Sequence, residues 1–414
     1  MHMTDVVVTG YGATTPLGGD AQSTWDGLLA GKSGVGELRA EWTDRIDLPV
    51  SIAAQLAVEP TDVLPRVQAR RMDRAEQVAV IAAREAWAHA GLAVEEGADP
   101  KVDPTRLAVI VGAGIGGVTT LLDQDDALEA GGLRKVTPLV VPMLMPNGPA
   151  ALISLEINAQ GGVHAPASAC ATGAEAMAWA WRLLKAGEVD VVVAGGTEAC
   201  IAPITVAGFV QARTLSQRND APQAASRPFD AGRDGFVIGE GAGIVVLERR
   251  EFAEARGATI HGTLAGIGMT SDAHHITAPD PNGGGQGRAM LAAVRTAGLQ
   301  PSDVGHVNCH ATSTVVGDVG EAAAIKKALG DHPVLTAPKG ALGHLVGGAG
   351  AVEGIVALLS VRDGIIPATL NLENKDEKVE LDVVAGEPRK MELTAAVNNS
   401  FGFGGHNASL LFTK

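Results

Sequence analysis

The chain has 414 residues, 46% hydrophobic and 19% charged, with 32 Lys and Arg against 47 Asp and Glu for a net charge of −15. That acidic excess argues against nucleic acid or an anionic membrane as the main partner, so an acidic partner would need a local basic patch. Three cysteines without paired spacing argue against a disulfide framework or zinc site, and no apolar run approaches the ~20 residues of a membrane span.

Asp5-Val6-Val7-Val8-Thr9-Gly10 reads as a first strand with no signal peptide ahead of it, which points to the cytoplasm. Arg106 to Gly117 reads as a second strand running into Gly112-Ala113-Gly114-Ile115-Gly116-Gly117, which satisfies the dinucleotide pattern GxGxxG. A dinucleotide site also needs an acidic residue about 20 positions on, at the end of another strand. Asp125 to Gly132 reads instead as a helix end and loop, so close backbone packing explains the glycines better.

An apolar run, Gly162 to Ala167, passes through Ser168-Ala169-Cys170-Ala171-Thr172-Gly173 into a helix of small and apolar residues reaching about Ala186. Cys170 then lies on the first turn of a core helix, where free amides and the positive helix end stabilise a thiolate. A nucleophile is the leading reading, and a small buried hydrophobe is the competing one. Gly239 to Leu247 reads as a glycine-rich hairpin into a strand, and Arg250 to Gly262 joins two halves.

The second half echoes the first. Thr263 to Ser271 answers Val6 to Pro16, His306 to Thr314 answers Arg106 to Gly117, Val334 to Leu359 answers the cysteine segment, and Gly402 to Phe412 answers Gly239 to Leu247. Each pair runs strand, turn, small-residue helix or hairpin, which predicts an α/β chain of two related halves, residues 1–255 and 256–414. One apolar run ends in Asn308-Cys309-His310, followed by Ala311-Thr312-Ser313-Thr314 and Gly317-Asp318. Another, Val334-Leu335-Thr336, ends in Pro338-Lys339-Gly340-Ala341-Leu342-Gly343-His344. A single histidine is more often structural, but two at strand ends, with a lysine and a matching cysteine, converge where α/β sheets build their sites. The His274-His275 pair near Asp272 lacks a cysteine or carboxylate cluster at ligand spacing, so no metal is expected.

These strings also carry a resemblance. Ser168 to Gly173, Arg227-Pro228-Phe229-Asp230 with Arg233 to Phe236, His310 to Thr314, Lys339 to His344 and Asn399 to Gly405 resemble the elongating β-ketoacyl-acyl-carrier-protein synthases. The likeness spans nearly the whole chain and is nearest synthase II of the actinobacterial branch. It implies the thiolase fold, with duplicated βαβαβαββ halves in five α-β-α-β-α layers, a homodimer, no cofactor or metal, and substrates on the phosphopantetheine arm of acyl carrier protein.

The resemblance further implies that Cys170 takes the acyl chain as a thioester, while His310 and His344 hold the enolate left by decarboxylation of malonyl carrier. It makes Lys339 an organiser salt-bridged to Glu353, and Asp318 and Glu321 supports. The N–H groups of Cys170 and Phe403 form an oxyanion hole, Phe403 also being part of a gate. Thr312 and Thr314 bind the pantetheine arm, Ile115, Phe209 and Phe401 line substrate space, and Arg70, Arg71, Arg134, Lys135 and Arg213 dock the carrier. Cys309, Gly340 and His406 depart from the family pattern without removing a catalytic group, although Cys309 is expected to compete in thiol labelling. The alternatives to a fatty-acid condensing enzyme are a ketosynthase or a non-catalytic chain-length subunit of a type II polyketide synthase, and a degradative thiolase. The chain-length subunit would lack Cys170, and the thiolase would need a cysteine after Cys309.

Overall fold

The computed structural model describes residues 4–93 and 100–414. Ten strands form the main sheet system: β1 Val6–Thr14, β2 Leu107–Ala113, β3 Val163–His164, β4 Val191–Glu198, β5 Gly241–Arg249, β6 Gly262–Ser271, β7 Val304–Asn308, β8 Val334–Thr336, β9 Ala395–Gly402 and β10 His406–Thr413. In space they run β8-β7-β9-β10-β6-β1-β5-β4-β2-β3. Each half therefore uses the same order, third-second-fourth-fifth-first, and the two five-stranded sheets meet where Val7 and Val8 pair antiparallel with Thr263 and Gly262. The strand β2 is apolar on both faces and wholly buried, as expected of a parallel strand covered by helices on both sides.

Helices α1 Arg74–His89, α3 Gly148–Ile157, α4 Thr172–Ala186, α5 Gly284–Thr296, α6 Val315–Leu329 and α7 Ala349–Asp363 make three layers, with α2 Val118–Gly131 following the glycine run. The helices α1 and α3 cover the outer face of the first sheet, α5 and α6 that of the second, and α4 and α7 lie between the sheets. The five α-β-α-β-α layers of the thiolase fold result, and the junction between halves is the segment Arg250–Ala255 leading to Gly262.

The middle layer explains its own composition. Every residue from Ala349 to Val361 in α7 is buried, as expected of a helix that is apolar but for Glu353 and Ser360, and small residues let it meet α4 at close range. A Cβ on Gly173 would fall 2.8 Å from Ala351 Cβ, and one on Gly350 would fall 2.9 Å from Ala174 N. Both central helices point their N-termini into the same region, and the site forms there. Among the described residues no helix is long and apolar enough to cross a membrane.

Candidate active site

A strained turn presents Cys170. The helix α4 begins at Thr172, one residue beyond a 3₁₀ turn Ala169–Ala171, and Ala169 holds φ at +51°, a left-handed conformation that a non-glycine residue keeps only when its surroundings enforce it. Thr172 enforces it: its Oγ1 accepts from Ser168 N at 3.0 Å and donates to Ala169 O at 2.7 Å. The same turn recurs in the second half at Val346, φ +46°, three residues before α7 as Ala169 is three before α4. Gly347 stands there in the place of Cys170, so only one copy carries a thiol.

The second half supplies the histidines. Beyond β7, the N–H groups of His310 and Ala311 donate to the buried Glu321 carboxylate at 2.9 and 2.7 Å, which fixes the turn carrying the His310 ring. The short helix Lys339–Leu342 ends at Gly343, φ +67°, and His344 follows with its N–H on Val237 O at 2.8 Å. Nε2 of His344 lies 2.9 Å from Cys170 Sγ. The two rings stand edge to face, centroids 5.5 Å apart at 84°, and Phe401 and Phe236 pack edgewise on His310 and His344. Beneath them Lys339 Nζ meets Glu353 Oε1 at 2.5 Å, both side chains buried.

Burial decides the protonation of this group. It drives His310 and His344 well below the usual imidazole value, with Lys339 adding to the effect on both, so both rings are neutral at pH 7. Burial also pushes the Glu321 and Glu353 carboxyls up to about 7 and Asp318 to about 6. The thiolate expected from the helix end alone is not the resting state. Burial pushes the Cys170 thiol up to about 11, against the smaller pull of Lys339 and the N–H groups of Phe403 and Cys170. The helix end loses because desolvating an anion outweighs a few oriented amides.

All three groups open on one cavity of about 580 Å³, lined also by Ile115, Phe209, Phe236, Val346, Thr312, Thr314, Phe401 and Phe403. The Thr312 and Thr314 hydroxyls lie 3.1 Å apart. Their loop is held by buried Asp318, which accepts from the N–H groups of Phe229, Ser313 and Thr314 at 2.9, 3.1 and 3.2 Å. Arg233 donates to Thr314 O and Val315 O at 3.0 and 2.8 Å and pairs with Asp376 at 2.9 Å. Arg227 N also donates to Ser313 Oγ at 3.0 Å, so the Arg227-Pro228-Phe229-Asp230 string and Arg233 together support this loop, a role their sequence does not reveal. Gly402 packs against the cysteine turn, where a Cβ would fall 2.4 Å from Ser168 O and 3.2 Å from Cys170 N. The neighbouring loop is tied down by Asn407 Nδ2 donating to Asp272 Oδ1 at 2.7 Å and Gly404 N to Ile276 O at 2.7 Å.

Cys309 is fully buried, as is Cys200, so Cys309 does not compete in labelling the folded protein. Gly340 is required by packing, since a Cβ there would fall 2.7 Å from Leu370 O. His406 is exposed, 3.9 Å from the Glu175 carboxylate. In the GxGxxG run, a Cβ on Gly112 would fall 2.0 Å from Pro166 O, and the amides of Gly114 to Gly116 are spent on Glu198, leaving no cradle for a pyrophosphate. Arg70, Arg71, Arg134, Lys135 and Arg213 are exposed. None lines the cavity, although Arg213 sits between its lining residues Ala212 and Thr214.

Sγ of Cys170 and ring nitrogens of His310 and His344 lie within 4.8 Å of one another, a spacing that ligands of one ion can share. Resident metal sites hold the far nitrogen of each ligating ring on an acceptor. Here Nδ1 of both rings is buried without a partner and the Lys339 cation lies close by, so the set suits thiol chemistry better than a bound ion. Nδ1 of His275 is occupied by the N–H groups of Thr277 and Ala278, each at 3.1 Å.

Residues 3–253 match the family model described as Beta-ketoacyl synthase, N-terminal domain, and residues 261–373 match Beta-ketoacyl synthase, C-terminal domain. The 3-oxoacyl-[acyl-carrier-protein] synthase 2 of Mycobacterium tuberculosis is 47% identical over 411 residues, covering 99% of this chain and 97% of that protein. The protein of the same name from Synechocystis is 42% identical over 413 residues, covering 99% and 98%. Among solved structures, a beta-ketoacyl synthase from Burkholderia phymatum superposes with a TM-score of 0.91 at 35% identity over 100% of both chains. A type II polyketide synthase acyl-carrier protein in complex with its ketosynthase, bound to the hexaketide, gives 0.90 at 27% identity, covering 100% and 99%.

Proposed function

The chain belongs to the beta-ketoacyl synthase family, and from that premise we propose that the cavity group carries out the elongating condensation of fatty acid biosynthesis in two half-reactions. The enzyme is an acyltransferase that adds two carbons from a malonyl thioester to an acyl chain held on Cys170. The observation that carries this reading is the convergence of one thiol and two neutral imidazoles, with Cys170 Sγ at 2.9 Å from His344 Nε2, on an apolar cavity.

In the first half-reaction Sγ attacks the acyl carrier thioester. Its proton passes to His344 Nε2 and on to the departing pantetheine thiolate, and the N–H groups of Cys170 and Phe403 stabilise the tetrahedral oxyanion. Once the free carrier has left, proton exchange with solvent returns His344 to its Nε2–H tautomer, and in the second half-reaction it and His310 donate N–H to the malonyl thioester carbonyl. The carboxylate leaves as CO₂, its electron pair forms the enolate, and neutral donors in a dry site stabilise that charge. The enolate carbon then attacks the acyl carbonyl, the C–S bond to Cys170 breaks, the released thiolate takes up a proton from solvent to restore the resting thiol, and the β-ketoacyl chain leaves on the carrier. The Lys339 cation, held in place by Glu353, disfavours protonation of both rings, and Glu321 and Asp318 hold the loops that aim them. No cofactor is needed, because nucleophile, proton acceptor and donors all belong to the chain.

Thr312 and Thr314 hydrogen-bond the pantetheine arm, and Ile115, Phe209 and Phe401 bound the substrate. Arg70, Arg71, Arg134, Lys135 and Arg213 receive the acidic acyl carrier protein. Residues 1–255 contribute the nucleophile, and 256–414 the histidines and lysine. The protein works in the cytoplasm as a homodimer joined along β3, whose residues are exposed at a sheet edge. Leu133 and Leu155, exposed at 82% and 77%, are apolar surface of the kind an interface covers.

The non-catalytic chain-length reading loses its basis with Cys170 and both histidines in place. A type II polyketide ketosynthase shares this site chemistry, but identity is higher to the fatty-acid synthases. Mass spectrometry after mixing enzyme with acyl carrier thioester tests the assignment: an acyl adduct on Cys170, absent from Cys170→Ala, is expected. An adduct on Cys200 or Cys309 overturns it.

A further inference from the structure

Glu198 is a buried carboxylate that these steps leave unused. It ends β4 and is wholly buried. Its Oε2 accepts from Gly114 N at 2.8 Å and Gly347 N at 3.3 Å, its Oε1 accepts from Gly116 N at 3.1 Å, and Ile115 N lies 3.2 and 3.1 Å from the two oxygens. Four backbone donors from two segments thus fill the roughly four lone-pair positions of one carboxylate. Burial raises its pKa to about 7, with those amides opposing the rise.

The two segments are walls of the cavity. Gly114 to Gly116 carries Ile115 from the first half, and the turn at Gly347 carries the left-handed Val346 from the second. The fit is tight: a Cβ on Gly114 or Gly347 would fall 2.7 or 2.9 Å from Glu198 Oε2.

We propose that Glu198 is a positioning residue for chain-length selection, fixing the Ile115 and Val346 walls against each other across the seam between the halves. This rests on the reading of the cavity as the acyl site. Glu198→Gln keeps the size but turns an NH₂ donor toward amides that are themselves donors, so one side of the clamp opens and the Ile115 wall withdraws.

The test compares Cys170 loading from long-chain and medium-chain acyl carrier thioesters, with malonyl decarboxylation as a second readout. In Glu198→Gln the long-to-medium loading ratio should rise about fivefold, the weight of one net hydrogen bond, with decarboxylation changed much less. Combined with Ile115→Ala, the substitution should add little further, because both act through one wall. An unchanged ratio, a uniform loss over all lengths and in decarboxylation, or full additivity with Ile115→Ala overturns the proposal. Should Glu198→Gln fail to fold, Glu198→Asp decides: it keeps the charge while withdrawing it by one methylene, so a smaller rise in the ratio is expected and none refutes. Wild-type loading separates the two readings. If the wild type takes no acyl chain on Cys170, the proposed function fails, whereas normal loading with an unmoved ratio removes Glu198 alone.

Discussion

Alkylation of Cys170 as a function of pH tests how this site stores its nucleophile. With burial holding the thiol up to about 11 rather than at the ordinary 9.0, the thiolate fraction at pH 8 is about 10⁻³ instead of ~10⁻¹. That hundredfold deficit corresponds to ~2.7 kcal/mol against the anion. Iodoacetamide should therefore react with a rate that climbs about tenfold per pH unit from 6 to 9 with no plateau. Cys200 and Cys309 are fully buried, so the peptide containing Cys170 should carry the label, which mass spectrometry verifies. Lys339→Met removes the cation that lowers the thiol value and leaves Glu353 without its partner, so its rate at each pH should be lower still. A plateau already present below pH 7 would show a resting Cys170–His344 ion pair and refute the argument that desolvation dominates.

Three further outcomes follow from the geometry. Alanine at His310 should depress malonyl decarboxylation by about 10²-fold, as loss of an oxyanion donor does, while sparing acyl loading; alanine at His344, the closer ring to Sγ, should depress both, and equal losses in both variants would undo this division. Charge reversal at Arg134 and Lys135 should raise KM for acyl carrier protein and weaken its salt dependence while leaving a small acyl-thioester surrogate untouched; impairment with both substrates would withdraw the docking role. Glu198, Glu321, Glu353 and Glu85 have folded values of about 7 and Glu76 about 8, all above the unfolded 4.5, so the stability they contribute is complete below 4.5 and lost as pH rises through 7 to 8. Buried His306 and His261, lowered to about 4, oppose this only below about 6.5, so the melting temperature should fall from pH 6.5 to 8, and a rise over that interval would contradict the carboxylate shifts.

Much of the framework was legible because it rests on local pattern. Apolar strands ending in small-residue helices marked both halves, and Cys170, His310, Lys339 and His344 stood at those seams. Electrostatic state was not legible: a helix N-terminus in sequence suggests a thiolate, but the burial that opposes it comes with tertiary packing such as that of Gly402 against the cysteine turn, more than two hundred residues away. Glu198, Phe236 and Asp272 were missed for the same reason. Each acts through a partner distant in sequence, and only the Gly195-Gly196-Thr197-Glu198 string hinted at an acidic residue where a strand meets tight packing. The docking cations are legible as charges, but their convergence depends on surface shape that one chain's pattern does not encode.

The burial of α4 against α7 has a consequence for how the chain is made. Residues 172–186 lie between two sheets and against a helix that begins at Ala349, so the first half leaves the ribosome with its inner face uncovered. At 5–20 residues per second the missing cover arrives roughly 10–40 s later. During that interval an apolar surface meant for the interior faces solvent, and the thiol-bearing turn lacks Gly402 against it. The nucleophile and the groups that restrain it come together only once nearly the whole chain has been synthesised.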